Sequence, residues 1–344
     1  MLSGAGMADY DASIIIPMGE GDRPEGNFCE AVEKQTWPLG KFEVIFISAE
    51  LDSRSMAAHD ERRVPGAVAM RHIRIAGTVE PDLIHRGARS ARGSCLIFLG
   101  PDLLPSSHFV EAHVAAHRDR NGWGLAYGVS LPHPRLRPGK FTRWTLLGEK
   151  PVKDATGDVS GGETVSCCGN FSILKERYFD AGGMPGGYFT VAMALAALGG
   201  RVRKKGGSVF HVPRARAMLW RSTDLDTLRR WMYLRGMDLY ALKKDDQDLH
   251  ELLCRQFQLD RLRLIWMLDG LYRATREKIC RESPQDVRVL GAILERLLIQ
   301  DRRQGYRDAR RHKRPAWNPM TAPVFTDALS AEIEEPTTDR FGGL

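Results

Sequence analysis

Two short apolar runs end where chemistry could begin. Asp11-Ala-Ser-Ile-Ile-Ile stops at Pro17-Met18-Gly19, and Phe42-Glu-Val-Ile-Phe-Ile stops at Ser48-Ala49-Glu50. A helix-like segment from Asn27 to Thr36, closed by Trp37-Pro38, lies between them. Strand, helix, strand at this spacing reads as a βαβ unit with strands buried on both faces. Sheets of that kind meet their ligands at the carboxyl ends of the strands. The loops after Ile16 and Ile47 are therefore the first places where a small molecule would bind. A second group of chemistry-bearing residues comes late in the chain: seven lysines and arginines between Arg302 and Arg314. Such a block either favours polyanions (nucleic acid, anionic lipid, phosphates) or is a solvated tail. The six cysteines, at 29, 95, 167, 168, 254 and 280, form no Cys-x-x-Cys pair and no zinc-type cluster. Their pattern is that of reduced, partly buried thiols in a cytosolic protein.

The chain has 344 residues, enough for one large α/β domain with an appendage or for two domains. Hydrophobic residues make up 43%, which supports a real core and argues against wholesale disorder. The net charge is +7. The first residues lack a charged-then-apolar signal pattern, and no apolar run approaches the ~20 residues that span a bilayer. The expected location is the cytoplasm, or the periphery of the membrane at its inner face.

Residues 1–10 read as a leader. From 11 to about 130, strand candidates (Ser13–Ile16, Glu43–Ile47, Met70–Ile75, Cys95–Leu99, Gly124–Val129) alternate with helical ones (Asn27–Thr36, Val79–Ala91, Ser107–Arg120). The last helix shows apolar spacing at Phe109, Val110, Val114 and Ala115, which suits one buried face. Residues 130–165 read as a long connection, a kind that is usually functional or mobile. A strand over Gly169–Leu174 and a helical turn over Lys175–Ala181 follow. A small-residue helix, Thr190–Leu198, is expected to stop at Gly199-Gly200, with a strand or hairpin over Arg201–His211. Three helices are expected over Asp224–Lys243, Asp248–Cys280 and Pro284–Gln304, the last with Ser283 as its cap. Residues 315–344 read as a disordered tail.

In this order and spacing the pieces resemble the family-2 glycosyltransferases, which have the GT-A nucleotide-diphospho-sugar fold. That is an α/β fold with a Rossmann-like mixed sheet flanked by helices, here followed by a C-terminal helical extension. The resemblance is carried by Ser13-Ile-Ile-Ile-Pro17, Gln35-Thr36-Trp37-Pro38, Phe42 to Ile47, and Leu83-Ile-His-Arg-Gly87 followed by Ala91-Arg92-Gly93. Further pieces are Cys95 to Asp102, Cys168-Gly-Asn170 to Lys175 with Gly182-Gly183, and Val209-Phe-His211. It implies a GT-A domain over residues 11–215, an extension over 216–314 and the tail beyond.

The resemblance also implies roles. Pro17, Met18, Glu50, His85 and Asp102 would border the nucleotide-sugar donor, and Asp102 with His211 would hold Mg²⁺ or Mn²⁺. The sequence departs from the family at its acids. Ser48-Ala49-Glu50 stands in place of a paired acid, and Gly100-Pro101-Asp102 keeps one carboxylate of a DxD motif. The position of the base falls on Gly187-Tyr188. Tyr188 is a poor base at neutral pH; Glu163, Asp154 or Asp158 in the long connection are substitutes. Losing a general base typically costs ~10²–10⁴ in rate. Two main readings follow: an inverting hexosyltransferase with incomplete motifs, acting on a glycan, lipid-linked or peptide acceptor, or a catalytically inactive GT-A protein that serves as a binding or scaffolding partner. A third is an unrelated doubly wound protein that binds nucleic acid or a lipid surface through Arg302–Arg314. In the first two readings nucleic acid is not an expected partner, and residues 216–314, with Trp220, Trp231, Tyr233, Trp266 and Tyr272, would meet a membrane or a partner protein.

Overall fold

The computed structural model describes residues 10–18, 26–50, 59–63, 68–76, 80–119, 123–135, 169–220, 225–256, 287–313 and 315. Among the described residues nine strands form one sheet: β1 Tyr10–Met18, β2 Phe42–Glu50, β3 His59–Arg63, β4 Ala69–Ala76, β5 Gly93–Leu99, β6 Leu103–Pro105, β7 Gly124–Pro132, β8 Asn170–Leu174 and β9 Ser208–Leu219. Their spatial order is β3-β4-β2-β1-β5-β8-β7-β9-β6. Strands β4, β2, β1 and β5 run parallel. β8 lies antiparallel between β5 and β7 and joins this parallel half to a mixed half in which β7 and β9 are parallel. One edge is β3, with the sequence His-Asp-Glu-Arg-Arg; the other is β6, three residues ending in Pro105.

The helices are α1 Gly26–Glu33, α2 Glu80–Ser90, α3 Phe109–Asp119, α4 Lys175–Asp180, α5 Val191–Lys204, α6 Leu225–Asp245, α7 Gln247–Gln256 and α8 Val287–Arg310. The period-2 rule of strands splits the core into two layers. Ile15, Ile45, Ile47 and Phe98 face a layer with α2, α5 and α6. Ile14, Ile16, Val44 and Ile97 face one with α1 and α3. Both faces of the central strands are thus covered, as the uninterrupted apolar runs require.

The helix expected to end at Leu198 continues to Lys204. Gly199 and Gly200 are both buried, and the space a Cβ on Gly200 would fill holds Asp246 Oδ2 at 2.9 Å and Leu249 Cδ2 at 3.4 Å. The glycine here marks a close approach of α7 to the helix rather than a stop. The strand expected from Arg201 consequently starts at Ser208 and runs on to Leu219, across the boundary expected at 215. The basic block also divides. Arg302 and Arg303 are buried within α8, while Arg307, Arg310, Arg311 and Lys313 are exposed. Among the described residues no helix is long and apolar enough to cross a membrane.

A buried polar chain ties α3 to β8. The Asn170 amide nitrogen donates to the carbonyls of Val129 and Ala215, at 3.1 and 3.0 Å. Its Oδ1 is left to accept from His113 Nε2 at 3.0 Å, so that nitrogen carries the ring proton. His113 Nδ1 then accepts from the Ser172 hydroxyl at 2.8 Å, and Ser172 Oγ in turn accepts from His117 Nε2 at 2.9 Å. Burial pushes His113 down to about 3 and His117 down to about 4. Both rings are therefore expected to show the ¹⁵N NMR shifts of neutral imidazole from pH 8 down to about pH 5, where an exposed histidine has already charged. A ring that titrates near its ordinary value would contradict this proton pattern.

Candidate functional site

The carboxyl ends of β1, β2, β4 and β5 lie on one side of the sheet because these strands are parallel. Helix α2 starts four residues after Ala76, the end of β4, and runs back over β1 and β2. Gly87 makes this packing close: a Cβ there would stand 2.6 Å from Ile15 Cγ2. The first turn of α2, with Glu80 and Asp82, is thereby set at the strand ends.

Pro17 and Met18 are buried at the end of β1, opposite Ile47 and Ser48. Ser48 Oγ lies 3.0 Å from His72 Nε2 on β4. The Glu50 backbone closes the β2–β4 ladder opposite Ala76. Asp102 follows β5 in a tight turn in which Leu103 N–H donates to Gly100 C=O at 3.1 Å. Gly100 N–H donates to the carbonyl of Gly169, whose φ of +91° is a conformation side chains rarely adopt. The Asp102 carboxylate folds back over Gly100: Oδ1 stands 2.9 Å from where a Cβ on Gly100 would be. The charge on Asp102 and, above all, burial push the Glu80 carboxyl up to about 7. Glu80 in the first turn of α2 therefore lies within electrostatic reach of Asp102 in the turn after β5.

His85, one turn into α2, is held by the other half of the fold. Tyr178 OH accepts from Met184 N–H at 2.8 Å, so its proton points to His85 Nδ1 at 3.1 Å and the ring proton sits on Nε2. Burial, then the nearby Arg89, lower the His85 pKa and keep the ring neutral. Asp82 Oδ1 lies 3.8 Å from the Cβ position of Gly186. A carboxylate from α2 therefore faces the loop whose own sequence has none.

The Tyr188 hydroxyl is turned to the helical extension, at Asp245. The residue is 2% exposed, and the hydroxyl donates to Asp245 Oδ2 at 2.8 Å. Burial and that carboxylate raise its pKa well beyond the usual tyrosine range, so it keeps its proton. His211 stacks on Tyr127, with ring centroids 4.9 Å apart. The β7–β9 register puts His211 opposite Tyr127 and Leu219 opposite Pro132, and Leu219 is the partner of Leu103, next to Asp102. Those five residues of β7 separate His211 from Asp102 by on the order of 16 Å along the strand. Glu163, Asp154 and Asp158 lie outside the described residues. Glu80 and Asp82 are not among the residues expected from sequence, although acids in the first turn of a helix that follows a strand are a readable signal.

Among the described residues no three His, Cys, Asp or Glu side chains come close enough to hold a metal ion. Asp102 and Glu80 fit a hard cation of the Mg²⁺ kind, which takes one or two carboxylates and fills its other positions with water and phosphate oxygens. The Glu80 carboxyl is raised chiefly by its burial, and the Asp102 charge adds to this; a bound cation would offset that second contribution.

No protein-family model matches the chain, and no curated protein sequence matches it. Solved structures do. The mannosyltransferase PcManGT from Pyrobaculum calidifontis, in complex with GDP-Man and Mn²⁺, aligns with a TM-score of 0.51 and 13% identity over 88% of this chain and 88% of that chain. S. aureus TarS 1–349 aligns with a TM-score of 0.47 and 12% identity over 90% of this chain and 94% of that chain. The likeness to PcManGT identifies the architecture as a GT-A glycosyltransferase fold, a mixed sheet flanked by helices.

Proposed function

We propose that the chain is a nucleotide-sugar-dependent glycosyltransferase of the inverting type, acting on a glycan, lipid-linked or peptide acceptor in surface-polysaccharide or glycoconjugate synthesis. The observation that supports it best is the placement of three acids at the carboxyl ends of the parallel strands of a GT-A sheet: Asp102 in the turn after β5, and Glu80 and Asp82 in the first turn of α2, with Asp82 facing Gly186. Pro17, Met18, Glu50 and His85 border the donor. Asp102 and Glu80 would hold Mg²⁺ or Mn²⁺ together with the diphosphate; when bound, the ion would offset charge that builds on the leaving group. Asp82 is placed to act as the base that Gly186, Gly187 and Tyr188 cannot supply. In the step, the acceptor oxygen bonds to the anomeric carbon from the side opposite the diphosphate. The bond from that carbon to the phosphate oxygen breaks, its electron pair leaves with the nucleoside diphosphate, and the acceptor proton passes to the Asp82 carboxylate.

A panel of UDP- and GDP-sugars with Mn²⁺ is expected to contain a donor that raises the melting temperature, since a ligand that binds only the folded state stabilises it. Asp102→Asn should remove the metal-dependent part of that rise. Gly100→Asp should weaken the rise rather than strengthen it, because the new Cβ meets the Asp102 carboxylate. A wild-type protein that no nucleotide-sugar stabilises would favour the other reading, a GT-A protein kept as a binding partner.

A further inference from the structure

The loop beside Asp82 is shaped from outside the sheet. Asp238, on α6, is buried to 1% exposure. Its Oδ1 accepts from Phe189 N–H at 2.7 Å, and its Oδ2 accepts from Thr190 N–H at 2.8 Å and from the Thr190 hydroxyl at 2.6 Å. Thr190 is the N-cap of α5 and accepts in turn from Met193 N–H. One carboxylate on α6 thus satisfies three donors at the junction between the glycine-rich loop and α5. Two turns on, Asp245 accepts from the Tyr188 hydroxyl and pairs with Arg201 at 3.7 Å, and Asp246 pairs with Lys204 at 2.9 Å. Phe189 and Thr190 are tied to the same helix as Tyr188, and Gly186, immediately before, is the residue that Asp82 faces.

Burying a carboxylate costs several kcal/mol unless its lone pairs are filled. Here they are filled by two backbone N–H groups of the loop and the Thr190 hydroxyl, which are fixed in exchange. This is more than a helix cap needs, since the Thr190 side chain already caps α5. We propose that Asp238 is a positioning residue for the transfer reaction. Through Phe189 and Thr190 it holds Gly186–Thr190 in the shape that sets an acceptor hydroxyl against Asp82, and it makes the helical extension part of the acceptor half of the site. The inference rests on the transferase reading.

The test uses the full chain and Asp238→Asn, whose amide offers one oxygen and turns an NH₂ toward a donor. Amide hydrogen exchange at Phe189 and Thr190, measured without ligand, is expected to be about tenfold faster than in the wild type. GDP release from GDP-mannose, or UDP release from UDP-glucose, with Mn²⁺ and with water as the acceptor, is expected to slow about tenfold in kcat, with the donor KM within about twofold. Should that variant not fold, Thr190→Val removes the hydroxyl tie to Asp238 together with the cap bond from Met193 N–H, and faster exchange at the Phe189 amide, which neither loss touches directly, is the expected result. Unchanged exchange at both amides would overturn the proposal, as would a kcat loss matched by a rise in donor KM. Wild-type protein that neither binds nor consumes any donor of the UDP- and GDP-sugar panel would sink the transferase reading instead, and the exchange arm would still report whether Asp238 fixes the loop.

Discussion

Glu43→Ala is expected to destabilise the protein by ~3–5 kcal/mol, the usual cost of leaving a buried ion without its partner. Glu43 is fully buried at the start of β2, and Arg71 on β4 donates to its Oε2 through Nε and Nη2, at 3.1 and 2.8 Å. Oε1 accepts from the Ser13 hydroxyl at 2.7 Å and from Arg92 N–H at 2.6 Å. Ser13 Oγ accepts from Gly93 N–H, and Arg71 also donates to the carbonyl of Ser90. One carboxylate therefore ties together β1, β2, β4 and the turn from α2 into β5, at the end of the sheet away from the candidate site. Removing it strands a guanidinium and two other donors. The double substitution Glu43→Leu with Arg71→Met removes both charges and should recover a large part of the loss. Urea unfolding of the two variants checks this. A double variant no more stable than the single one would show that the pair itself, and not the orphaned charge, carries the stability.

Gly236→Ala is expected to release α8 from α6. A Cβ on Gly236 would lie 1.8 Å from the Arg302 carbonyl oxygen, and one on Gly305 would lie 1.9 Å from the Tyr233 carbonyl oxygen. Each helix presents a glycine to the backbone of the other, so no rotamer change can make room. To admit one methyl group the helices must move apart. That strains the two bonds from Arg229 to Asp301, at 2.7 and 2.8 Å, and the bond from Tyr233 to Asp308 at 3.0 Å. Overpacking of this kind costs ~1–3 kcal/mol or more. Limited proteolysis should cut within 287–313 in the variant at concentrations that spare the wild type. A variant with the wild-type melting temperature and an uncut α8 would contradict the contact.

The sequence carried the parallel half of the fold well, for a physical reason. Ile14 to Ile16 and Val44 to Ile47 are buried on both faces, so their apolar runs are continuous and the proline or polar residue that ends each is conspicuous. Helix α3 was legible by its apolar spacing. That spacing did not reveal that His113 and His117 lie on the same buried face, because their burial depends on Asn170 and Ser172 more than fifty residues away. The glycine pair at 199 and 200 misled for a similar reason: whether a glycine ends a helix or admits a neighbour is decided by the neighbour. Arg302 and Arg303 read as part of a solvated block, and only the contact with α6 puts them inside. Of the candidate site, Asp102 and the strand ends could be placed from sequence. Asp238 could not, since its partners Phe189 and Thr190 are about fifty positions upstream and belong to another element.

The margins of the sheet have a consequence for life in a crowded solution. A broad β-surface invites strangers to extend it unless its borders are made unwelcoming. Here the chain spends its most charged strand, His59 to Arg63, on one border and leaves only a three-residue stub with a proline on the other. Charge guards the first border; on the second, the stub covers only the Ala217–Leu219 end of β9. The border beside β4 is thus guarded against fibril growth by its charge, while the end of the sheet at the parallel strand tips is left for a ligand.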